Sequence, residues 1–171
     1  MRKQSGFSLI EILVALTILV IGLLGLAGLQ FASLRWTADA GQSAAVARLG
    51  QDLAEKLRAR PGAIDAYLQA APTSPAAERA CYAPGGCPTS AGVATDLAEW
   101  MEAVAQSLPA GQATLCRDLS PEDGSVADPA CSGGIGDPVV MKFWWTARDA
   151  RGRATEAAAL TRPLAVIPVR P

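Results

Sequence analysis

The apolar positions of the chain change their pattern along its length. From Ile12 to Leu34 they run on through 23 residues without a charge. As a helix at ~1.5 Å per residue this run would cover about 35 Å, enough to cross a ~30 Å hydrocarbon core. Past Arg35 the pattern becomes periodic: Val46, Leu49, Leu53 and Leu57 recur at three- and four-residue steps, while Arg48, Asp52, Glu55, Lys56 and Arg58 take the other faces. That is a helix with one buried stripe. Pro61 and Gly62 stop it, so the pattern predicts one helix from Phe7 to about Ala59, roughly 80 Å long at ~1.5 Å per residue.

From Pro61 to Cys87 the sequence reads as a loop, with APTSPAAERACYAPGGCP rich in proline and glycine. Leu97, Trp100, Met101, Val104 and Leu108 then fall at helical spacing. Asp96 and Glu99 are placed like a capping box, and Pro109 follows the last turn. Gln112 to Leu119 and Val139 to Ala147 read as strands, the second alternating Met141, Phe143 and Trp145 with Lys142, Trp144 and Thr146. RDARGR supplies a hairpin turn to a third strand near Thr155 to Leu160, and Leu164 to Val169 reads as a further extended piece, with Pro163 and Pro168 marking an edge. Trp144 and Trp145 point to opposite faces, which leaves two readings open: one in the core and one against the long helix or a neighbour, or both in the core.

Composition narrows the function classes. The net charge is −1 and Lys and Arg are scattered, so the basic footprint of a nucleic-acid protein is missing. Histidine is absent, which removes the commonest general base and the commonest metal ligand. GGIGDP at 133 to 138 lacks the lysine, the preceding strand and the following helix of a phosphate loop. No triad, acidic dyad or ligand cluster emerges, so the sequence argues against an enzyme and calls for no cofactor and no metal.

The apolar run carries one anomaly. Glu11 is the only ionisable side chain between Lys3 and Arg35, and a carboxylate at the centre of a membrane helix costs on the order of 3 kcal/mol. Arg2 and Lys3 before the run place Met1 on the cytoplasmic side and the bulk of the chain across the membrane. The small residue Gly6 precedes the run, unlike a secretory signal peptide, whose cleavage site follows it. In this setting KQSGFSLIE resembles the class III leader of type IV prepilins and of type II secretion pseudopilins. The resemblance implies cleavage after Gly6 by a membrane prepilin peptidase, methylation of the new amino terminus at Phe7, and an assembly role for Glu11 in neutralising the terminal amine of an adjacent subunit. An amine and a carboxylate are each costly alone in a low-dielectric bundle, and their pairing between chains fixes axial register.

The resemblance implies an α+β fold of type IV pilin kind: a long N-terminal helix, its first half transmembrane, packed on a small C-terminal head with a short helix and an antiparallel sheet. Residues 1–6 would be the leader, 7–60 the transmembrane and assembly helix, and 61–171 the globular head. GFSLIEILVALTILVIGLLGLAGLQ and the order DLAEW, SLPAGQATLC and a tryptophan-bearing strand are similar to one branch of the minor pilins. The implied partners are other minor pilins, the major pilin, the prepilin peptidase, the inner-membrane assembly platform and, before assembly, the lipid bilayer. The implied location is the inner membrane with a periplasmic head, then the extracellular pilus. Two other readings stay open: a pseudopilin of type II secretion, and a membrane-anchored periplasmic binding module or enzyme. Gly22, Gly25 and Gly28 permit close helix contact, and in pili of this family the corresponding stretch is often unwound.

Four cysteines on the oxidising side of a membrane suggest two disulfides, with three connectivities open. Locality favours Cys81 with Cys87 and Cys116 with Cys131. The spacing of CYAPGGC is too wide for the usual zinc pair.

Overall fold

In the computed structural model, residues 8–73, 75–149 and 152–169 are described. Helix α1 runs without a break over Leu9–Ala59, 51 residues. The chain divides into two compact units, one ending at Gly41 and one beginning at Gln42.

The first unit is the apolar part of α1. Its large side chains, Leu9 through Trp36, stand exposed, and the apolar window long enough to cross a membrane buries none of its residues. The two threonines of this stretch satisfy their hydroxyls internally: Thr17 Oγ1 donates to the Leu13 carbonyl at 2.8 Å and Thr37 Oγ1 to that of Ser33 at 2.9 Å. This back-bonding lets a hydroxyl sit on a helix without a water partner. Gly22, Gly25 and Gly28 lie within the unbroken helix with open space where a side chain would stand.

The second unit is built on the buried stripe that the 3–4 spacing predicts, with Val46, Leu49, Leu53 and Leu57 of α1 all in the core. Helix α3, Thr89–Ser107, lays Val93, Leu97, Trp100 and Val104 into the same core. Trp100 is fully buried and its Nε1 donates to the Leu49 carbonyl at 2.9 Å. Its ring meets Phe143 edge-on, 5.7 Å between centroids, a pairing worth ~0.5–1.5 kcal/mol beyond burial. Strands β1 (Gln112–Arg117), β2 (Val139–Trp144) and β5 (Ala165–Val169) form an antiparallel sheet in the order β1-β2-β5. Gly50 lets the sheet approach α1, because a Cβ there would run into Ile167 of β5. Pro168 sits on the edge strand, opposite Val140, where a missing N–H costs no central ladder bond.

The structure corrects the sequence reading in three places. The segment after Pro61 is not all loop, since Ile64–Ala70 form helix α2, with Tyr67 fully buried. Helix α3 begins at Thr89, so Asp96 and Glu99 lie in mid-helix and cap nothing. The strand placed at Thr155 to Leu160 shrinks to β4, Ala154–Thr155, paired with β3, Ala147–Arg148, and the alanines at 157–159 turn into a 3-10 helix. Strand β2 is buried on both faces. The segment linking β1 to β2 covers its second face, where Trp144 Nε1 donates to the Gly124 carbonyl at 3.4 Å. Gly124, at φ +93° and against Pro129, permits this fold-back. Both tryptophans are buried, and Trp145 Nε1 also donates to Gln42 Oε1 of α1 at 2.8 Å.

Two disulfides close the head, Cys81 with Cys87 and Cys116 with Cys131. The second ties β1 to the covering segment across 15 residues of sequence. A loop of that length is worth about 3 kcal/mol when the stabilisation is read as denatured-state entropy. We expect a Cys116→Ser/Cys131→Ser chain to melt measurably lower than the wild type by circular dichroism, and an unchanged melt would refute this role.

Candidate assembly helix and its anchoring to the head

Glu11 stands in the first turn of α1. Its N–H donates to the Ser8 carbonyl at 3.0 Å, and that of Ile12 to the same carbonyl at 3.3 Å. A carboxylate suits a helix N-terminus, where unpaired N–H groups leave partial positive charge. Its neighbours Leu9, Ile10, Ile12 and Leu13 are exposed, so this end of the helix presents one acid on an apolar surface. Gly6 and Phe7 lie outside the described residues.

Where α1 ends, in the second unit, a polar cluster holds it to α2 and α3. Asp96 accepts from both Arg60 and the Tyr67 hydroxyl, and Arg60 also donates to the Tyr67 oxygen at 3.0 Å. Lys56 Nζ pairs with Glu99 at 3.0 Å, and the Tyr82 hydroxyl donates to the same carboxylate at 2.8 Å. Burial pushes the Tyr67 hydroxyl up to about 12, reinforced by its bond to Asp96 and opposed by Arg60. Hydrogen bonds from Lys56 and Tyr82 hold the Glu99 carboxyl below its ordinary range. The two acids that resemble a cap in sequence are thus the sockets into which the cationic end of α1 plugs.

A second cluster had no sequence signal. Lys142 in β2 and Asp118 after β1 are both fully buried and form an ion pair. The Lys142 ammonium also donates to the Asp123 carbonyl at 3.0 Å and the Pro129 carbonyl at 2.8 Å. In an alternating strand Lys142 reads as a solvent-facing residue, and only the fold-back of the covering segment reveals it as an internal cation. Among the described residues no group of three or more His, Cys, Asp or Glu is placed to hold a metal ion.

Comparison with known families agrees with this architecture. Residues 1–27 match the model described as the prokaryotic N-terminal methylation motif, and residues 28–101 match the model described as type IV pilin Tt1218. Together the two matches support a type IV pilin with a role in pilus assembly, a structural rather than an enzymatic class. The long apolar N-terminal helix, the short helices and the small antiparallel sheet make up the α+β fold of such a pilin. The methylation motif and the exposed apolar helix fit membrane anchoring and processing by a prepilin peptidase. No curated protein and no solved structure gave a match.

Proposed function

We propose that the chain is a minor pilin of the PilV kind, which helps to prime type IV pilus assembly in a tip complex. Its companions there are PilW-, PilX-, PilE- and FimU-like minor pilins and the major pilin, and adhesion and twitching motility depend on the complex indirectly. Before assembly the chain sits in the inner membrane with its head in the periplasm, and after assembly it is part of the pilus. In this reading the prepilin peptidase cuts between Gly6 and Phe7 and the Phe7 amine is methylated. Glu11 pairs with that amine on a neighbouring subunit. The observation that carries the reading is the lone Glu11 at the start of an exposed apolar helix, within the matched methylation motif.

The two charges would be costly singly and cheap together in an apolar bundle, so the pair selects one register among many that apolar packing alone would allow. The polar cluster of Lys56, Arg60, Tyr67, Asp96 and Glu99 ties the end of α1 to α2 and α3. Cleavage at Gly6 is the step that exposes the amine. A Gly6→Val chain should accumulate at full length in the membrane and fail to support piliation, and a full-length Gly6→Val chain with normal piliation would overturn the proposal.

A further inference from the structure

The charges of the head are unevenly placed. From residue 61 to 146 the chain carries ten acidic residues and three basic ones, and from 147 to 171 it carries five arginines and two acids. The fold gathers three of these arginines at one end of the sheet. That end is marked by Gln112, Trp144 and Ala165, because Gln112 pairs with Trp144 and Ala165 with Phe143. The β3–β4 hairpin leaves from there: Ala147 follows three residues after the end of β2, and the Thr146 N–H donates to the Pro109 carbonyl at 2.8 Å. Arg162 arrives at the same end, since the Leu164 N–H donates to the Phe143 carbonyl at 2.9 Å. Arg148, Arg153 and Arg162 are all exposed. Two acids accompany them. Asp149 pairs with Arg153 at 2.8 Å, and Glu156 accepts from the Thr146 hydroxyl at 3.1 Å. The turn sequence RDARGR sets three arginines against that one aspartate, so cationic charge is in excess.

The same end of the sheet is where α1 enters the head. Trp145 bonds to Gln42, the first residue of the second unit. The opposite end of the sheet meets the segment beyond α1, where Arg117 pairs with Asp65 at 3.5 Å and donates to the Asp137 carbonyl at 3.1 Å. Only eight residues separate Gln42 from Leu34, the last of the charge-free run. As part of α1 they span about 12 Å at ~1.5 Å per residue. The headgroup layer outside the hydrocarbon takes up roughly half of that, which leaves Gln42 within about one Debye length, ~8 Å, of a bilayer surface.

We propose that the β3–β4 hairpin, together with Arg162, is a docking surface for anionic phospholipid headgroups, held against the membrane while the subunit awaits assembly. Guanidinium groups suit this ligand because they meet phosphate oxygens with a fork of donors and stay charged at any working pH. A bilayer fits this surface better than the acidic part of a neighbouring head, because the short tether keeps a bilayer beside these arginines in every anchored copy, whereas a neighbour's acids must first be brought there. Asp65 and Asp137, at the far end of the sheet, favour the same orientation, since an anionic surface repels them. The inference rests on the membrane anchoring of α1 and uses nothing from the pairing of Glu11.

The test places the mature full-length chain, one copy per disc, in lipid nanodiscs and follows the reaction of phenylglyoxal with each arginine by peptide mass spectrometry. Exposed Arg79 is the control, because its neighbour Glu78 bonds to Thr95, toward the other end of α3. In discs containing about one-third phosphatidylglycerol, Arg148 and Arg153 should react at least fivefold more slowly than in discs of phosphatidylcholine alone, the gain of about fivefold that an arginine makes near an anionic surface. Arg79 should react alike in both discs, and about 0.5 M sodium chloride should remove the difference. Inorganic phosphate added to the neutral discs should protect nothing. Arg148→Gln/Arg162→Gln, two exposed changes, should weaken the protection of Arg153. Equal reactivity in the two discs, equal slowing at Arg79, protection by free phosphate, or undiminished protection in the double variant would each overturn the proposal. Protection that appears only with two copies per disc would assign the arginines to a neighbouring head and overturn it too. A chain that does not enter the discs overturns the anchoring and this inference together, whereas a chain that enters and reacts alike in both discs overturns this inference alone.

Discussion

Glu11→Ala is expected to remove the chain from filaments while leaving its head folded. On the proposed pairing, deleting the carboxylate strands a neighbouring amine in an apolar bundle. Breaking such a buried pair costs on the order of 3–5 kcal/mol, a loss of more than a hundredfold in incorporation at ~1.4 kcal/mol per decade. Glu11→Gln should behave like Glu11→Ala, because the neutral amide cannot balance the ammonium. The head should be indifferent to both changes, since Glu11 belongs to the first unit and the core begins at Ala45. Immunoblots of sheared filaments against the membrane fraction, with a melting curve of the same variant, check both halves. Normal incorporation of Glu11→Ala would leave the acid as a plain membrane-interface residue.

Lys142→Met is expected to be the most damaging single change in the head. It leaves Asp118, fully buried, without its cation, and an uncompensated buried charge costs ~3–5 kcal/mol, a large part of the ~5–15 kcal/mol that holds a domain together. The melting temperature should fall by roughly 10–20 °C. Asp118→Asn should do less harm, because the ammonium keeps the Asp123 and Pro129 carbonyls. The pH dependence has a definite sign. Burial alone would push the Asp118 carboxyl up, but the bonds from Lys142 and the Ser120 N–H outweigh it and hold the carboxyl below its ordinary range. A carboxyl depressed in the folded state contributes stability that is whole above its unfolded value of ~3.9 and is lost as the pH falls through its folded value. The wild-type head should therefore lose stability in acid below about pH 4, and Asp118→Asn should blunt that loss. A Lys142→Met head that melts like the wild type would show that the pair is not a structural keystone.

The parts of this fold that were legible in sequence are those whose signal is local. The uninterrupted run from Ile12 and the 3–4 spacing of Val46, Leu49, Leu53 and Leu57 fix α1, because a helix repeats its own geometry. Pro168 marks an edge strand wherever its partner lies. The failures share a cause, since each depends on residues distant in sequence. Asp96 and Glu99 have the spacing of a cap, but their partners Lys56 and Arg60 lie some 40 residues earlier. Helix α2 is seven residues long and is bracketed by Pro61 and Pro72, too short for its periodicity to outweigh the prolines. The alternation of β2 leaves the surroundings of Lys142 and Trp144 open, because the segment that covers them, rich in Gly, Pro and Asp, carries no repeating pattern of its own. Of the candidate site, the order of Gly6, Phe7 and Glu11 stands out in the sequence itself, whereas the polar cluster that fixes α2 and α3 to the end of α1, and the Lys142–Asp118 pair, become visible only in three dimensions.

The central claim is that this chain is a processed pilin subunit that enters the filament. Mass spectrometry of sheared surface filaments, with the membrane fraction in parallel, tests it most directly. The account predicts a filament peptide that begins at Phe7 and carries one added methyl group on its amine. A chain that keeps Met1 in both fractions would contradict it.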